Sequence, residues 1–198
     1  MMNQDLQKHR REFARSIRNH QYEVSDQGIV FPKAKALIQG AFVHDVNGQD
    51  ERIDPNLVVT QGLTYLLEVG LNNGSKLAAW YLSLYTANYT PLAALTQASY
   101  PATASESTSN TEGYSNTTRR AWSLAAPASG SATNNASKAA FTIATATSVV
   151  VYGAGLHSDS TKGGTTGTLY SAAKFAAART LYDTDVFNLG YTTTLTGT

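Results

Sequence analysis

The sequence contains no cysteine among its 198 residues. Disulfides, cysteine-ligated metals and thiol nucleophiles are therefore excluded, and a small secreted domain held together by disulfides is not expected. Long hydrophobic runs are absent too, because no window approaches the roughly 18 apolar residues of a transmembrane helix. The first residues, MMNQDLQKHRREF, lack the apolar core of a secretory signal. We therefore expect a protein that is made in a cytoplasm and is soluble there.

Charge is also scarce. Charged residues make up 15% of the chain and the formal net charge is +1, so the protein as a whole carries no signal for nucleic acid or for a membrane surface. A hydrophobic content of 42% excludes wholesale disorder. The length suits either one large β domain or one domain of roughly 140 to 150 residues with an appendage.

What charge there is lies mostly in the first 89 residues, whereas the rest of the chain is rich in Ala, Ser, Thr and Gly. Residues 4–20 place apolar side chains at roughly helical spacing among basic ones, which predicts a basic amphipathic helix. We expect it to dock on an acidic partner surface, although a solvated helix is the simpler alternative. The side chains that would make this contact are Lys8, Arg10, Arg11, Phe13, Arg15, Ile17 and Arg18. Nucleic-acid binding lacks a second basic cluster or an aromatic platform.

Short strand signals begin at Leu37 and continue to the end of the chain. They cover residues 37–46, 49–53, 78–86, 118–124, 139–144, 148–152, 168–171 and 185–195, with Asn47-Gly48 as the first turn. Helices do not alternate regularly with these strands, so a parallel βαβ fold is not indicated. The pattern predicts a mainly β protein with an antiparallel, jelly-roll-like β-sandwich. We expect residues 1–36 to form a helical and extended arm and residues 37–198 to form the sandwich domain.

One helix is predicted inside the sandwich domain, at residues 61–72. Its four leucines (Leu63, Leu66, Leu67 and Leu71) have the spacing of a buried helical stripe. Thr60 is the expected N-cap, and the Asn-Asn-Gly sequence at 72–74 supplies the stop. Residues 92–99 are predicted as a second short helix and residues 100–114 as a polar loop.

No sequence motif in the chain indicates catalysis. The four histidines are scattered without ligand spacing, and Glu106 and Glu112 are interpreted as solvated loop carboxylates. The sequence KGGTTG at 162–167 reverses the order of a phosphate-binding loop, and the Gly153-Ala-Gly155 segment lacks the third glycine of a dinucleotide fingerprint. We interpret these glycines as sites of bulges and tight loops. The expectation is therefore no enzyme, no cofactor and no metal site.

Four side chains are candidates for an interface or a ligand. Arg119 and Arg120 lie in a strand signal beside Trp122, where they face opposite ways, so at most one of them points toward the core. A salt bridge at the rim is one interpretation, and stacking on a ligand or contact with a neighbour is the other. Tyr100 and Tyr114 lie in the predicted loop and are candidate contacts for a protein or a sugar.

Four stretches of the chain, taken in order, resemble small structural proteins of tailed-bacteriophage virions. They are NLVxxxGLxxLL at 56–67, WYLSLY at 80–85, EGY at 112–114 followed by Arg119, and GAGL at 153–156 followed by RTLxD at 179–183. The similarity covers about residues 37–195, and its motifs are packing motifs. It implies an extended arm followed by a helix and a β-sandwich.

The resemblance implies a capsid-decorating or cement protein. Its arm would bind an acidic surface of the shell, and its sandwich would bridge capsid subunits. The expected partners are the major capsid protein, or tail and collar proteins, together with further copies of this chain in a dimer or trimer; neither nucleic acid nor membrane is expected. The expected location is the virion, assembled in the host bacterial cytoplasm. A collar, tail-adaptor or fibre-anchoring component is one alternative, and a carbohydrate-binding or receptor-binding module is another, since fold alone does not decide function.

Overall fold

The computed structural model describes residues 9–15, 22–24, 27, 30–32 and 36–197. The chain divides into two compact units, one of residues 1–37 with 196–198 and one of residues 38–195. Within the smaller unit, residues 9–15 are helical, and β1 (Tyr22–Val24) pairs with β2 (Val30–Pro32) in antiparallel fashion.

The rest of the described chain is dominated by strands that form two antiparallel sheets packed against each other, which confirms the predicted β-sandwich. The strands are β3 (Ala36–Val46), β4 (Gln49–Pro55), β5 (Leu57–Val58), β6 (Tyr81–Tyr85), β7 (Gly113–Tyr114), β8 (Arg120–Ala121), β9 (Ser131–Thr133), β10 (Ala139–Ala144), β11 (Val149–His157), β12 (Leu169–Leu181) and β13 (Val186–Gly197). The first sheet has the order β4-β3-β13-β10-β7, with β9 beside β13, and the second has the order β5-β12-β11-β6-β8.

The hairpin of β3 and β4 turns at the predicted Asn-Gly pair. Asn47 and Gly48 both have positive φ values, of 53° and 74°, which is the conformation that a two-residue type I′ hairpin turn requires. The turn pairs Val46 with Gln49, and the register then shifts between Val46 and His44, which pairs with Arg52. The Asn-Gly dipeptide therefore fixes the position of the turn, and the irregularity beside it determines the register of the rest of the hairpin.

The main core lies between the sheets and is built mostly from aromatic and aliphatic side chains of alternate strand positions. In β10, Ala139, Phe141 and Ile143 point inward while the residues between them are more exposed. Phe42 of the first sheet lies 4.8 Å from Tyr191, measured between ring centroids. Trp122 joins the same cluster. Each fully buried side chain of this size contributes about 1.5–3 kcal/mol to folding.

The second sheet is covered on its other face as well. Tyr85 points away from the main core and packs in a second cluster with Tyr100 and the residues around it. Two glycines of β11 make this possible: a Cβ atom at Gly153 would lie 2.3 Å from the Tyr85 ring, and one at Gly155 would lie 2.9 Å from the Tyr100 ring. The Gly-Ala-Gly segment is therefore a site of close packing.

The predicted helix forms as α1 (Thr60–Leu71), but it is not the buried helix that the leucine spacing predicted. Its only buried residue is Gly62, where a Cβ atom would lie 2.3 Å from the Tyr170 carbonyl oxygen of β12. That close approach directs Gly62 and Leu66 toward the sandwich. The other three leucines of the predicted stripe, Leu63, Leu67 and Leu71, are exposed.

The ends of α1 also differ in part from the prediction. Val59 is the N-cap residue, and Thr60 is the first residue of the helix without a side-chain cap. The predicted stop is confirmed, since Asn73 adopts a positive φ of 57° and the Gly74 N–H donates to the Glu68 carbonyl at 2.7 Å.

The segment after β6 was predicted wrongly. Residues 92–99 form turns, and the short helix α2 (Tyr100–Thr103) lies instead where a loop was predicted. Pro101 stands in the first turn of α2, a position that tolerates its missing N–H. The segment is also buried at several points, including Tyr100, Ala104 and Glu106, because it covers the outer face of the second sheet.

Candidate functional site

The basic arm residues that the structure describes are exposed. Arg10, Arg11, Phe13 and Arg15 lie on the helical residues 9–15, and their side chains reach solvent. On the same segment, His9 lies 3.6 Å from the carboxylate of Glu12. The other three predicted contacts, Lys8, Ile17 and Arg18, lie outside the described residues.

The interpretation of Arg119 as part of a salt bridge at the rim is wrong. The residue is 1% exposed and its side chain is paired with Glu106. Its Nε and Nη2 atoms donate to the two carboxylate oxygens of Glu106 at 2.7 and 2.6 Å. The remaining donors go to backbone carbonyls, Nη1 to Asp159 and Nη2 also to Gly164. Glu106 was interpreted as a solvated loop carboxylate, and that interpretation is wrong. All three guanidinium nitrogens therefore donate hydrogen bonds, which a buried charge pair of this kind needs in order to offset its loss of solvation.

Arg120 differs from its neighbour. It is half-buried in β8, whose backbone pairs with β6. Its Nε is buried and has no hydrogen-bond partner among the described residues. Of the two predicted arginines, Arg120 is the one that keeps part of its surface accessible.

Tyr100 is fully buried and anchors a chain of hydrogen bonds, so it does not offer a ligand-binding surface as the sequence predicted. The Gln97 Nε2 donates to the Gly164 carbonyl, which leaves the Gln97 Oε1 to accept from the His157 Nδ1 at 2.7 Å. The His157 Nε2 then accepts from the Ser83 hydroxyl at 2.7 Å. Ser83 in turn accepts from the Tyr100 hydroxyl at 2.9 Å. A neutral imidazole satisfies every one of these bonds.

This network of hydrogen bonds connects a serine, a histidine and an amide in the same order as the nucleophile, the base and the orienting group of a catalytic triad. Ser83, His157 and Gln97 are each 0% exposed, and the serine oxygen also receives the tyrosine proton. Burial, and secondarily the nearby Arg119 charge, holds the pKa of His157 well below its usual range. Because all three side chains are fully buried, we interpret this hydrogen-bond network as structural support for the second sheet.

Tyr114 is also buried, against the prediction that it contacts a partner. Its ring lies under the Lys162 amine, 3.6 Å from the centroid, and that amine donates to Asn110 Oδ1 and to the Tyr114 carbonyl at 2.7 and 2.8 Å. Burial lowers the pKa of Lys162 to about 8. The KGGTTG segment is thus held by internal bonds, since the Gly163 N–H donates to Glu106 as well. This agrees with its interpretation as a tight loop.

A second histidine cluster joins the two sheets, and no sequence motif indicates it. His44 of β3 donates from Nε2 to Asp54 of β4 at 2.8 Å and accepts at Nδ1 from the Arg179 Nε of β12 at 3.2 Å. Its ring stacks on Phe175, with centroids 4.0 Å apart. Burial is the main cause of a lowered His44 pKa. Arg179 also bonds to the carbonyl of Asp50, so this cluster fixes the hairpin against the other sheet.

Neither histidine cluster assembles a metal centre. In the described part of the chain, no group of three His, Cys, Asp or Glu side chains is placed to hold a metal ion. Within the same residues, no helix is long and apolar enough to cross a membrane.

The outer face of α1 is apolar and exposed, although the leucine spacing predicted that these side chains would be buried in the core. Leu63, Leu67 and Leu71 are 40, 60 and 84% exposed and stand four residues apart in one row. A groove of about 590 Å³ runs beside this row, between α1 and residues 93–96. Exposed leucines in a contiguous row are typical of an interaction surface.

No protein-family model matches this chain, and no curated protein sequence is significantly similar to it. The class that fold and site together define is therefore a two-sheet antiparallel β-sandwich protein with a separate N-terminal unit.

Proposed function

We propose that this chain is a non-enzymatic structural protein of a tailed-bacteriophage virion that decorates or cements the capsid. In this proposal the N-terminal arm attaches the protein to an acidic surface of the shell, and the sandwich bridges adjacent capsid subunits. The observation that carries it is the exposure of Arg10, Arg11 and Arg15 on one short helical segment of the smaller, N-terminal unit. The resemblance in residues 37–195 supports the assignment to a virion.

The sandwich fits a supporting role because its buried arginine, glutamate and histidine side chains are hydrogen-bonded to other side chains of the sandwich. The Arg119–Glu106 pair, the His157 chain and the His44 cluster each satisfy their members internally. Such networks favour one rigid arrangement of loops and sheets. A rigid unit is what a bridge between lattice subunits requires, since the contacts then need not offset the entropy of ordering the bridge itself.

The carbohydrate-binding alternative required Tyr100 and Tyr114 as exposed contacts for a sugar, but both side chains are buried. The collar or tail-adaptor alternative shares the fold and the arm. Copy number separates it from the decoration role, because a cement occupies a site on every lattice unit and a collar component forms a single ring.

Quantitative peptide mass spectrometry on purified particles of the phage that encodes this chain tests the proposal. We expect the chain to co-purify with the particles at a copy number comparable to that of the major capsid protein. A copy number equal to that of a single tail or collar ring would replace decoration by the alternative. Absence of the chain from particles, together with its presence in the lysate, would overturn the virion assignment altogether.

A further inference from the structure

We propose that the outer face of α1 is a self-association surface, on which a second copy of this chain packs its own α1 across a two-fold axis. The occupant is thus a second copy, and the contact is a helix–helix pair formed by the leucine row and the groove beside it. This inference does not depend on the virion role, because it rests only on α1 and its surroundings.

The face has two parallel rows of side chains. The leucine row of Leu63, Leu67 and Leu71 is exposed, and next to it runs a second row of Thr60, Thr64 and Glu68, which lines the groove. Both rows connect residues four apart, so they are ridges of the kind that interlock when helices cross at about −50°. Two copies would therefore each insert a leucine ridge beside the partner's threonine ridge.

A symmetric contact requires that one patch be complementary to itself. The α1 face meets this requirement because the apolar leucine ridge lies beside a groove whose one wall is α1 itself and whose other wall is residues 93–96. Gly70 adds to this, since a Cβ atom there would meet nothing within 4 Å and the backbone is open to close approach.

Charge argues against the other occupants. Glu68 is the one carboxylate on the helix, and it already accepts a hydrogen bond from Asn72 at 2.8 Å. The basic segment of another copy, with Arg10, Arg11 and Arg15, would find little to neutralise it there. A face with three leucines, two threonines and one internally bonded carboxylate is matched best by an equally uncharged surface, which its own copy supplies.

The size of the face sets the expected strength. A helix of 12 residues is about 18 Å long, so the contact is at the low end of the area that specific interfaces bury. We therefore expect a weak, reversible dimer whose population rises with protein concentration.

Sedimentation velocity over a concentration series of the full chain tests the surface. We expect the unmodified protein to pass from monomer to dimer, and Leu67→Gln to raise the dissociation constant at least about tenfold, because Leu67 lies at the centre of the ridge. Ile53→Gln is the matched control: Ile53 is 66% exposed on β4, and its replacement should leave the constant unchanged. A thermal unfolding curve of each variant verifies that the monomer remains folded.

Because the chain has no cysteine, a single introduced cysteine can form a disulfide only with the same cysteine of a second copy. Its rate of cross-linking therefore reports how close the two copies lie at that position. In a close helix pair the axes lie about 8–10 Å apart, which places facing Cα atoms within the range that a disulfide spans. Under mild oxidation Leu67→Cys should therefore form a covalent dimer much faster than Ile53→Cys. A protein that stays monomeric, a dimer that Leu67→Gln does not weaken, or equal cross-linking of the two cysteine variants would each overturn the proposal.

Discussion

Arg119 and Glu106 illustrate how a polar side chain becomes a structural element when solvent is removed. Both side chains are 0% exposed and make two short parallel hydrogen bonds. A pair of this kind contributes little net free energy compared with apolar residues of the same shape, but removing one partner leaves an uncompensated charge in the interior. Removing one of the two side chains should therefore destabilise the fold much more than replacing both of them with apolar residues of the same shape.

Arg119→Met should lower the free energy of unfolding by about 3–5 kcal/mol, because it leaves the Glu106 carboxylate buried without its donors. The double variant Glu106→Gln, Arg119→Met should recover part of that loss. Chemical denaturation of the single and double variants measures both values. Arg52→Met, at an exposed ion pair with Asp50, is the control and should leave stability nearly unchanged. If the double variant were as unstable as the sum of its single changes, the two residues would not act as a pair.

The buried histidines predict a dependence of stability on pH. Burial lowers the pKa of both His44 and His157 in the folded state, so the unfolded chain binds more protons just below the ordinary histidine pKa of about 6.5. The contribution of the two histidines to the free energy of unfolding is therefore present above pH 6.5 and should fall as the pH decreases below it, with a limiting slope of about 1.4 kcal/mol per pH unit for a histidine that is protonated only in the unfolded chain.

Denaturant titrations at several pH values between 5 and 7.5 measure this slope. His157→Gln should reduce it, since the glutamine amide still reaches Ser83 but does not titrate. His9→Gln is the matched control, because His9 is exposed on the helical residues 9–15. A slope that is the same in the His157→Gln protein as in the unmodified one would contradict the account.

Sequence reasoning placed Tyr100, Tyr114 and Arg119 at a surface for a physical reason. The neighbours of Tyr100 and Tyr114 along the chain are small and polar, which is typical of loops, and the two adjacent arginines of the predicted strand at 118–124 were interpreted as facing its rim. Several of their partners are remote in sequence: the His157 ring packs edge-on against Tyr100, Lys162 lies 48 residues from Tyr114, and Asp159 lies 40 residues from Arg119. Contacts of that separation leave no local pattern, so the composition of a segment does not report its burial.

At the scale of single elements, most strands could be located from the sequence, but β9 was missed, β12 (Leu169–Leu181) was predicted only at residues 168–171, and the orientation of the helix was predicted wrongly. The span of β10 is as predicted, and the Asn47-Gly48 turn adopts the expected conformation, because alternation and turn chemistry are local properties. The position of α1 along the chain is local as well. Which of its faces turns inward depends on Gly62, whose missing side chain admits the backbone of β12 at Tyr170.

Two glycines of α1 therefore predict opposite responses to alanine. Gly62→Ala should destabilise the fold, because its methyl group would lie 2.3 Å from the Tyr170 carbonyl oxygen. Gly70→Ala should stabilise it by about 0.5–1 kcal/mol, because that position is open and alanine is the better helix former. Thermal unfolding at a protein concentration where the monomer dominates compares the two. A loss of stability in Gly70→Ala equal to that in Gly62→Ala would show that α1 is not seated as described.

At the scale of the whole molecule, the sandwich was predictable because many short strands with regular alternation leave few alternatives to two packed sheets. The function is a different matter, since neither the sheets nor their buried networks select a partner. Partner choice is therefore proposed to lie in two surface features, the exposed basic side chains at residues 9–15 and the leucine row of α1.

Attachment of the protein through its N-terminal arm is measurable in a binding experiment with particles. Purified full-length chain is added to particles of the encoding phage that lack it, and bound protein is measured by co-sedimentation at increasing salt. We predict saturable binding that weakens as salt screens the contact, and a loss of most binding in the variant Arg10→Gln, Arg11→Gln, Arg15→Gln. Equal binding and equal salt dependence of this variant and the unmodified chain would contradict the claim.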